Sequence, residues 1–323
     1  MTAPRFAPAT AALGFACAIA SGAAAQDAHL IAVAGLGGEP ETETALHEQV
    51  VRLCAAAETR HGVPRQRIVC LASDPARDPR RIDGRSTREG VQDAFARTAS
   101  RARPGDLVLV VLLGHGSYQS GISRFALPGP DLTAEDFAAL VGELGEQRVV
   151  FVNATSASGE FAKALAGPSR ALLLATRSGA ERNQTEFGRY FVDALAHDGA
   201  DADKDGRVSL QEAFDHAKRE TDRAYEQDKR LLTEHATLVD ATGLAKAAYL
   251  AGGSSSEPAA ADPRLRALIE ERRALEDRVE RLKAGKADLP EEEYQRMLED
   301  LLVALAEKSE AIRAAQAAGR EPR

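Results

Sequence analysis

Two short apolar runs, Leu107 to Leu113 and Val149 to Val152, constrain the fold of this chain more than any other feature. Each is apolar and rich in β-branched residues, short for a buried helix and bounded by turn residues, as expected of strands covered on both faces of a parallel sheet. Each also ends in polar residues. The first opens into Gly114-His115-Gly116-Ser117 and the second into Asn153-Ala154-Thr155-Ser156-Ala157-Ser158-Gly159. Residues just past the carboxyl ends of neighbouring strands share one crevice in an open α/β sheet, so a histidine and a cluster of hydroxyls are expected to meet there.

The rest of the chain supplies further alternating strands and helices. A strand from His29 to Ala34 leads into Gly35-Leu36-Gly37-Gly38. The spacing is not that of a dinucleotide fingerprint and no Lys-Ser or Lys-Thr pair follows, so these glycines read as a tight turn. Leu46, Val50, Leu53, Cys54 and Ala57 recur at helical spacing, and His61-Gly62-Val63-Pro64 stops that helix. A strand from Arg67 to Ala72 follows, then a polar surface loop from Ser73 to Gly84. Ser86 and Glu89 read as a capping box for the next helix. The Gly-, Ser- and Pro-containing stretch Tyr118 to Pro130 reads as a loop beside the crevice. Thr133 with Asp136 starts a crossover helix, and Ala171 to Ala175 makes a fifth strand. Strands alternating with helices give a doubly wound α/β architecture.

Composition narrows the class of protein. With 41 basic and 49 acidic residues the formal charge is −8, which argues against nucleic acid as the partner. The N-terminus carries Arg5, a weakly apolar run from about Ala11 to Ala20, and small residues at Ala23 and Ala25 before Gln26. That pattern predicts a signal peptide over residues 1–25 and an exported protein, periplasmic or secreted. No other run has the length of a membrane-spanning helix. Cys54 and Cys70 remain after cleavage. Export permits a disulfide between them, but each lies in an apolar pattern, and they are read as two buried free thiols.

The most specific local signal is Asp201-Ala202-Asp203-Lys204-Asp205-Gly206-Arg207-Val208-Ser209-Leu210-Gln211-Glu212. It places carboxylates at positions one, three and five of a twelve-residue EF-hand loop, glycine at six, an apolar residue at eight and a bidentate-capable Glu at twelve. Asp201, Asp203, Asp205, Arg207 through its carbonyl, Ser209 and Glu212 are the expected Ca2+ ligands. A lone loop without a paired hand is expected to act as a structural staple.

Residues 251–262, with Gly252-Gly253-Ser254-Ser255-Ser256, form a flexible linker by composition. Beyond it, Leu265, Leu268, Arg272, Leu275, Val279 and Leu282 are spaced in steps of three and four, as are Tyr294, Leu298, Leu301, Leu305, Lys308 and Ile312. A break at Gly285 to Pro290 lets the two helices fold back as a hairpin over residues 263–316, packed on itself or offered to a partner.

At the strand ends, His115 and Ser156 could form a base and nucleophile pair, with the imidazole oriented by Asn153 or a backbone carbonyl. The Gly116 amide is a candidate oxyanion donor. A strand followed by His-Gly, then about forty residues later a strand followed by Ser-Gly, resembles the legumain and caspase-like cysteine peptidases. His115-Gly116 matches the catalytic histidine motif of that family and Ser158-Gly159 the end of its nucleophile motif. The resemblance covers the region from about His29 to Leu195. It implies a caspase-like, mostly parallel α/β sheet flanked by helices over residues 26–250, and peptide or protein as ligand.

The departure lies at the nucleophile. The family's cysteine falls on Ser156, or on Thr155 if one residue is inserted. A serine hydroxyl needs a stronger and better-placed base than a thiol. The resemblance therefore implies a catalytically impaired pseudopeptidase, to which the spacing of residues 201–212 adds a calcium loop, the alternative being an active hydrolase using Ser156 with His115 as base.

Overall fold

The computed structural model describes residues 27–197, 199–204, 206–251 and 290–318, together with 264, 267, 268, 271, 272, 275, 278, 279 and 282. The expected signal peptide, nearly all of the linker and the ligand position Asp205 lie outside these described residues.

The strands are β1 (Ala28–Ala34), β2 (Ile68–Ala72), β3 (Gly84–Arg85), β4 (Leu107–Gly114), β5 (Gly116–Gln119), β6 (Ile122–Phe125), β7 (Leu132–Thr133), β8 (Arg148–Thr155), β9 (Arg170–Leu174) and β10 (Thr237–Val239). The helices are α1 (Pro40–Thr59), α2 (Arg88–Ala99), α3 (Ala134–Glu143), α4 (Ala162–Leu165), α5 (Phe187–Ala196), α6 (Leu210–Gln227), α7 (Leu244–Ala247) and α8 (Glu291–Ala318). Seven strands form the central sheet in the order β10-β9-β8-β4-β1-β2-β3, parallel except for β10. This is the mostly parallel, doubly wound α/β sheet flanked by helices that the strand and helix alternation predicts.

Strand alternation sorts the core into two halves. Leu107, Leu109, Val111 and Leu113 face α1, α5 and α6 through Val50, Leu53, Phe191 and Phe214. The intervening Val108, Val110 and Leu112 face α2, α3 and α4 through Phe95, Phe137 and Leu165. Because both faces are covered, β4 is apolar at seven consecutive positions, with no polar alternation. Phe137 sits at the centre of the second half, with its ring centroid 5.5 to 6.4 Å from those of Phe95, Phe125, Phe151 and Phe161. Rings at these separations add to the stability that burial alone gives.

The chain leaves β1 towards β2 and β3 on one side, then crosses back to place β4, β8 and β9 on the other. The reversal of winding falls between β1 and β4. In such sheets the ligand crevice opens at this switch point, above the carboxyl ends of the strands.

Four readings are corrected. Cys54 and Cys70 form a disulfide rather than two free thiols. Cys54 lies on the sheet-facing stripe of α1 and Cys70 on the face of β2 beneath it, so an apolar setting and a crosslink coexist, with the Cα atoms 6.6 Å apart. The cap of α2 is Thr87, whose side chain accepts from the Gly90 amide, and not Ser86. The stretch after His115 is a β5-β6 hairpin extended by β7, not a loop. The glycine turn after β1 belongs to the crevice, as described below. The Thr133–Asp136 capping box is present at the start of α3.

In the tail, the described residues of 264–282 are helical. Val279 and Leu282 pack with Tyr294 and Leu301 of α8 to close the helical hairpin. Among the described residues no helix is long and apolar enough to cross a membrane.

Candidate functional site

His115 follows β4 directly, and three hydrogen bonds hold it. Its amide donates to the Leu36 carbonyl at 3.0 Å, and its carbonyl accepts from the Ala126 amide at 3.0 Å. Its ring nitrogen Nε2 lies 2.6 Å from the Gly37 carbonyl. A carbonyl can only accept, so Nε2 donates the hydrogen bond and Nδ1 is the ring nitrogen left for any other partner. The imidazole is therefore oriented by a backbone carbonyl of the β1 loop and not by Asn153.

The glycine run supplies this contact because it can lie unusually close. Gly38 adopts φ +81°, and a Cβ there would meet His115 Nε2 at 3.3 Å. The contact of Gly37 and Gly38 with His115 is not visible from their spacing. The usable signal was topological, since β1 and β4 are neighbours and their following loops must meet.

The hydroxyl cluster at the end of β8 lies beside the same segment. In register, Thr155 pairs with Gly114. Ser156 Oγ accepts from the Gly116 amide at 3.2 Å and donates to the Gly116 carbonyl at 2.9 Å. Gly116 is required for this approach, because a Cβ would fall 2.2 Å from the Ser156 carbonyl and 2.5 Å from Thr155 Oγ1. Thr155 is fully buried and donates its hydroxyl to Asn153 Oδ1 at 2.7 Å. Among the described residues no hydrogen bond joins His115 to either hydroxyl. Ser156 is 2% exposed, and both its hydroxyl and the candidate oxyanion amide of Gly116 are committed to each other.

A cleft of about 40 Å³ opens beside the imidazole, lined among others by Thr42, Leu46, His115, Ala154, Thr185 and Gly188. This is room for about one water molecule. Strand alternation points Thr155 to the sheet face opposite Ala154 and therefore away from this cleft.

The segment from Ala175 to Phe187 borders the crevice and is anchored from two directions. The Glu181 carbonyl accepts the Ala157 amide at 2.7 Å, at a residue held in the left-handed region with φ 54°. The Ser158 and Thr176 hydroxyls lie 3.1 Å apart. Thr233-Glu234-His235 tie the far side. His235 Nδ1 meets Glu181 Oε1 at 2.7 Å, while the Glu234 carboxylate accepts the Glu186 amide at 2.7 Å and the Phe187 amide at 3.2 Å, at the start of α5. Burial pushes the Glu234 carboxyl above the usual glutamate value, against the opposing pull of those amides.

The second candidate is the acidic loop before α6. Oxygens of Asp201, Asp203 and Glu212 lie within 4.8 Å of one another and could hold a metal ion. That spread suits an all-oxygen shell with ligand distances of about 2.4 Å, which favours a hard cation. The loop is pre-shaped: Asp201 accepts the Gly206 amide at 2.9 Å, and Glu212 Oε1 accepts the amides of Ala202 and Asp203 at 3.0 and 3.2 Å. Ser209 forms a capping box with Glu212 at the start of α6. The Arg207 guanidinium stacks over Tyr249 at 3.8 Å from the ring centroid.

No protein-family model matches the chain, and no curated protein matches it.

Proposed function

We propose that this protein is an exported, legumain- or caspase-like pseudopeptidase that binds peptide or protein at the crevice above β1, β4 and β8, with one calcium ion bound at residues 201–212. The observation that carries this reading is the split state of the crevice. The base position is kept and oriented, with His115 on the Gly37 carbonyl, while the nucleophile position holds a buried serine bonded to the Gly116 backbone. A hydroxyl bonded to backbone and not to a base is a poor nucleophile. The Cys54–Cys70 disulfide supports export, since such crosslinks persist in oxidising compartments. The oxygen-only donor set and the twelve-residue spacing of the loop support calcium over softer metals.

The test is labelling by a fluorophosphonate probe, run beside peptide binding read as hydrogen-exchange protection around the cleft. The expected result is no labelling of the protein, with protection of the segments carrying Thr42, Leu46 and Thr185 when a peptide pool is added. Stoichiometric labelling that is lost in both Ser156→Ala and His115→Ala would replace this reading with that of an active serine hydrolase.

A further inference from the structure

The helix between residues 264 and 282 reaches the acidic loop through one side chain. Arg272 is 5% exposed at its side chain, and its NH2 group lies 3.8 Å from Asp203 Oδ1. Its NH1 group donates to the Lys204 carbonyl at 3.3 Å. Guanidinium groups are rarely buried without such acceptors. The neighbouring Glu271 pairs with Lys308 of α8 at 2.5 Å, and Val279 and Leu282 pack against α8, so the two tail helices are held to each other as well as to the loop.

We propose that calcium at the 201–212 loop and docking of the C-terminal hairpin through Arg272 oppose one another. This rests on the calcium reading of the loop. Asp203 is at once a candidate ion ligand and the carboxylate facing Arg272. A divalent ion among these oxygens sets two positive charges within a few ångströms of the guanidinium and reduces the negative field that attracts it. Binding free energies are reciprocal: if Arg272 weakens calcium binding by some factor, calcium weakens hairpin docking by the same factor. The loop then sets, by ion concentration, how firmly the hairpin is held on the α/β domain.

The experiment uses the full mature chain. Calcium titration by calorimetry compares the wild type with Arg272→Met and Arg272→Lys, and hydrogen exchange follows residues 264–282 with and without calcium. The expected result is calcium affinity about tenfold tighter in Arg272→Met, the order expected for a charge facing a divalent ion across a partly solvated gap. Arg272→Lys, which keeps the charge, stays near the wild-type affinity, and calcium speeds exchange over 264–282 in the wild type. Equal affinities in all three proteins, or exchange that calcium leaves unchanged, overturns the coupling and leaves the calcium reading standing. Absence of calcium binding in all three overturns both.

Discussion

The hydroxyl of Ser156 and the backbone of Gly116 are joined twice, with the amide donating to Oγ at 3.2 Å and Oγ donating to the carbonyl at 2.9 Å. This pair fixes the start of the β5-β6 hairpin to the end of β8, which gives Ser156 a structural role. Ser156→Ala leaves the half-buried amide and carbonyl of Gly116 without that partner, at a cost of about 1 kcal/mol. The measurement is urea unfolding of the two proteins. An unchanged midpoint would mean that the serine is not holding the hairpin.

The disulfide makes a separate prediction. Cys54 and Cys70 are 16 residues apart in sequence, so the crosslink closes a short loop in the unfolded chain. Replacing both with alanine should lower stability by about 3 kcal/mol, the scale expected for a loop of this size. The same loss is expected on reduction of the wild type, and reduction should have no effect on the double variant.

Two histidines predict how stability depends on pH. His29 is buried, and its imidazole is held below the usual value of 6.5 by desolvation, which outweighs the hydrogen bond it donates to the Asp106 carboxylate 3.3 Å away. His61, partly buried with Nε2 2.8 Å from the Leu195 carbonyl, is lowered for the same reason. A base whose folded pKa is depressed binds fewer protons folded than unfolded, so its contribution is full above pH 6.5 and is lost as pH falls from there towards the folded value. The two histidines should therefore add stability between pH 5 and pH 7, by at most about 1.4 kcal/mol per pH unit for each proton, with less from His61 because it keeps some solvent contact, while the raised Glu234 carboxyl opposes them at the acid end. His61→Gln keeps a donor for the Leu195 carbonyl and should flatten part of that slope. A slope identical to that of the wild type would show that His61 is not the group titrating.

Much of the sheet was legible because its central strands are covered on both faces. Leu107 to Leu113 reads as a buried strand by its length, branching and flanking turn residues, and the neighbouring polar ends of β4 and β8 follow from that. The edge strands β3 and β10 were not legible, since they have two and three residues and only partial burial, too few for any periodicity to emerge. The disulfide was missed because apolar surroundings and crosslinking give the same sequence pattern, and only the facing of α1 and β2 separates them. The role of Glu234 was missed because capping a helix 47 residues away leaves no local trace. The acidic loop was legible because its converging carboxylates all come from one short segment, whereas the contact from Arg272 spans 68 positions.

The acidic loop yields the remaining prediction. An ion that binds the folded state alone stabilises it by mass action, by about 2.7 kcal/mol at one hundred times its dissociation constant. For a domain of this size that corresponds to a rise in melting temperature of about 5–10 °C. Asp201→Ala removes one of the three converging carboxylates and also the acceptor of the Gly206 amide, so the variant starts slightly lower even without the ion. The decisive readout is therefore the difference between melts in calcium and in chelator, taken for each protein. That difference should be present in the wild type and absent in Asp201→Ala. Magnesium should give a smaller rise, because its tighter octahedral shell and reluctance to shed water suit it poorly to a loop built from carboxylates and carbonyls. A wild-type melt that is the same in calcium and in chelator would leave the three carboxylates as caps of their own loop and of α6, with no ion to hold.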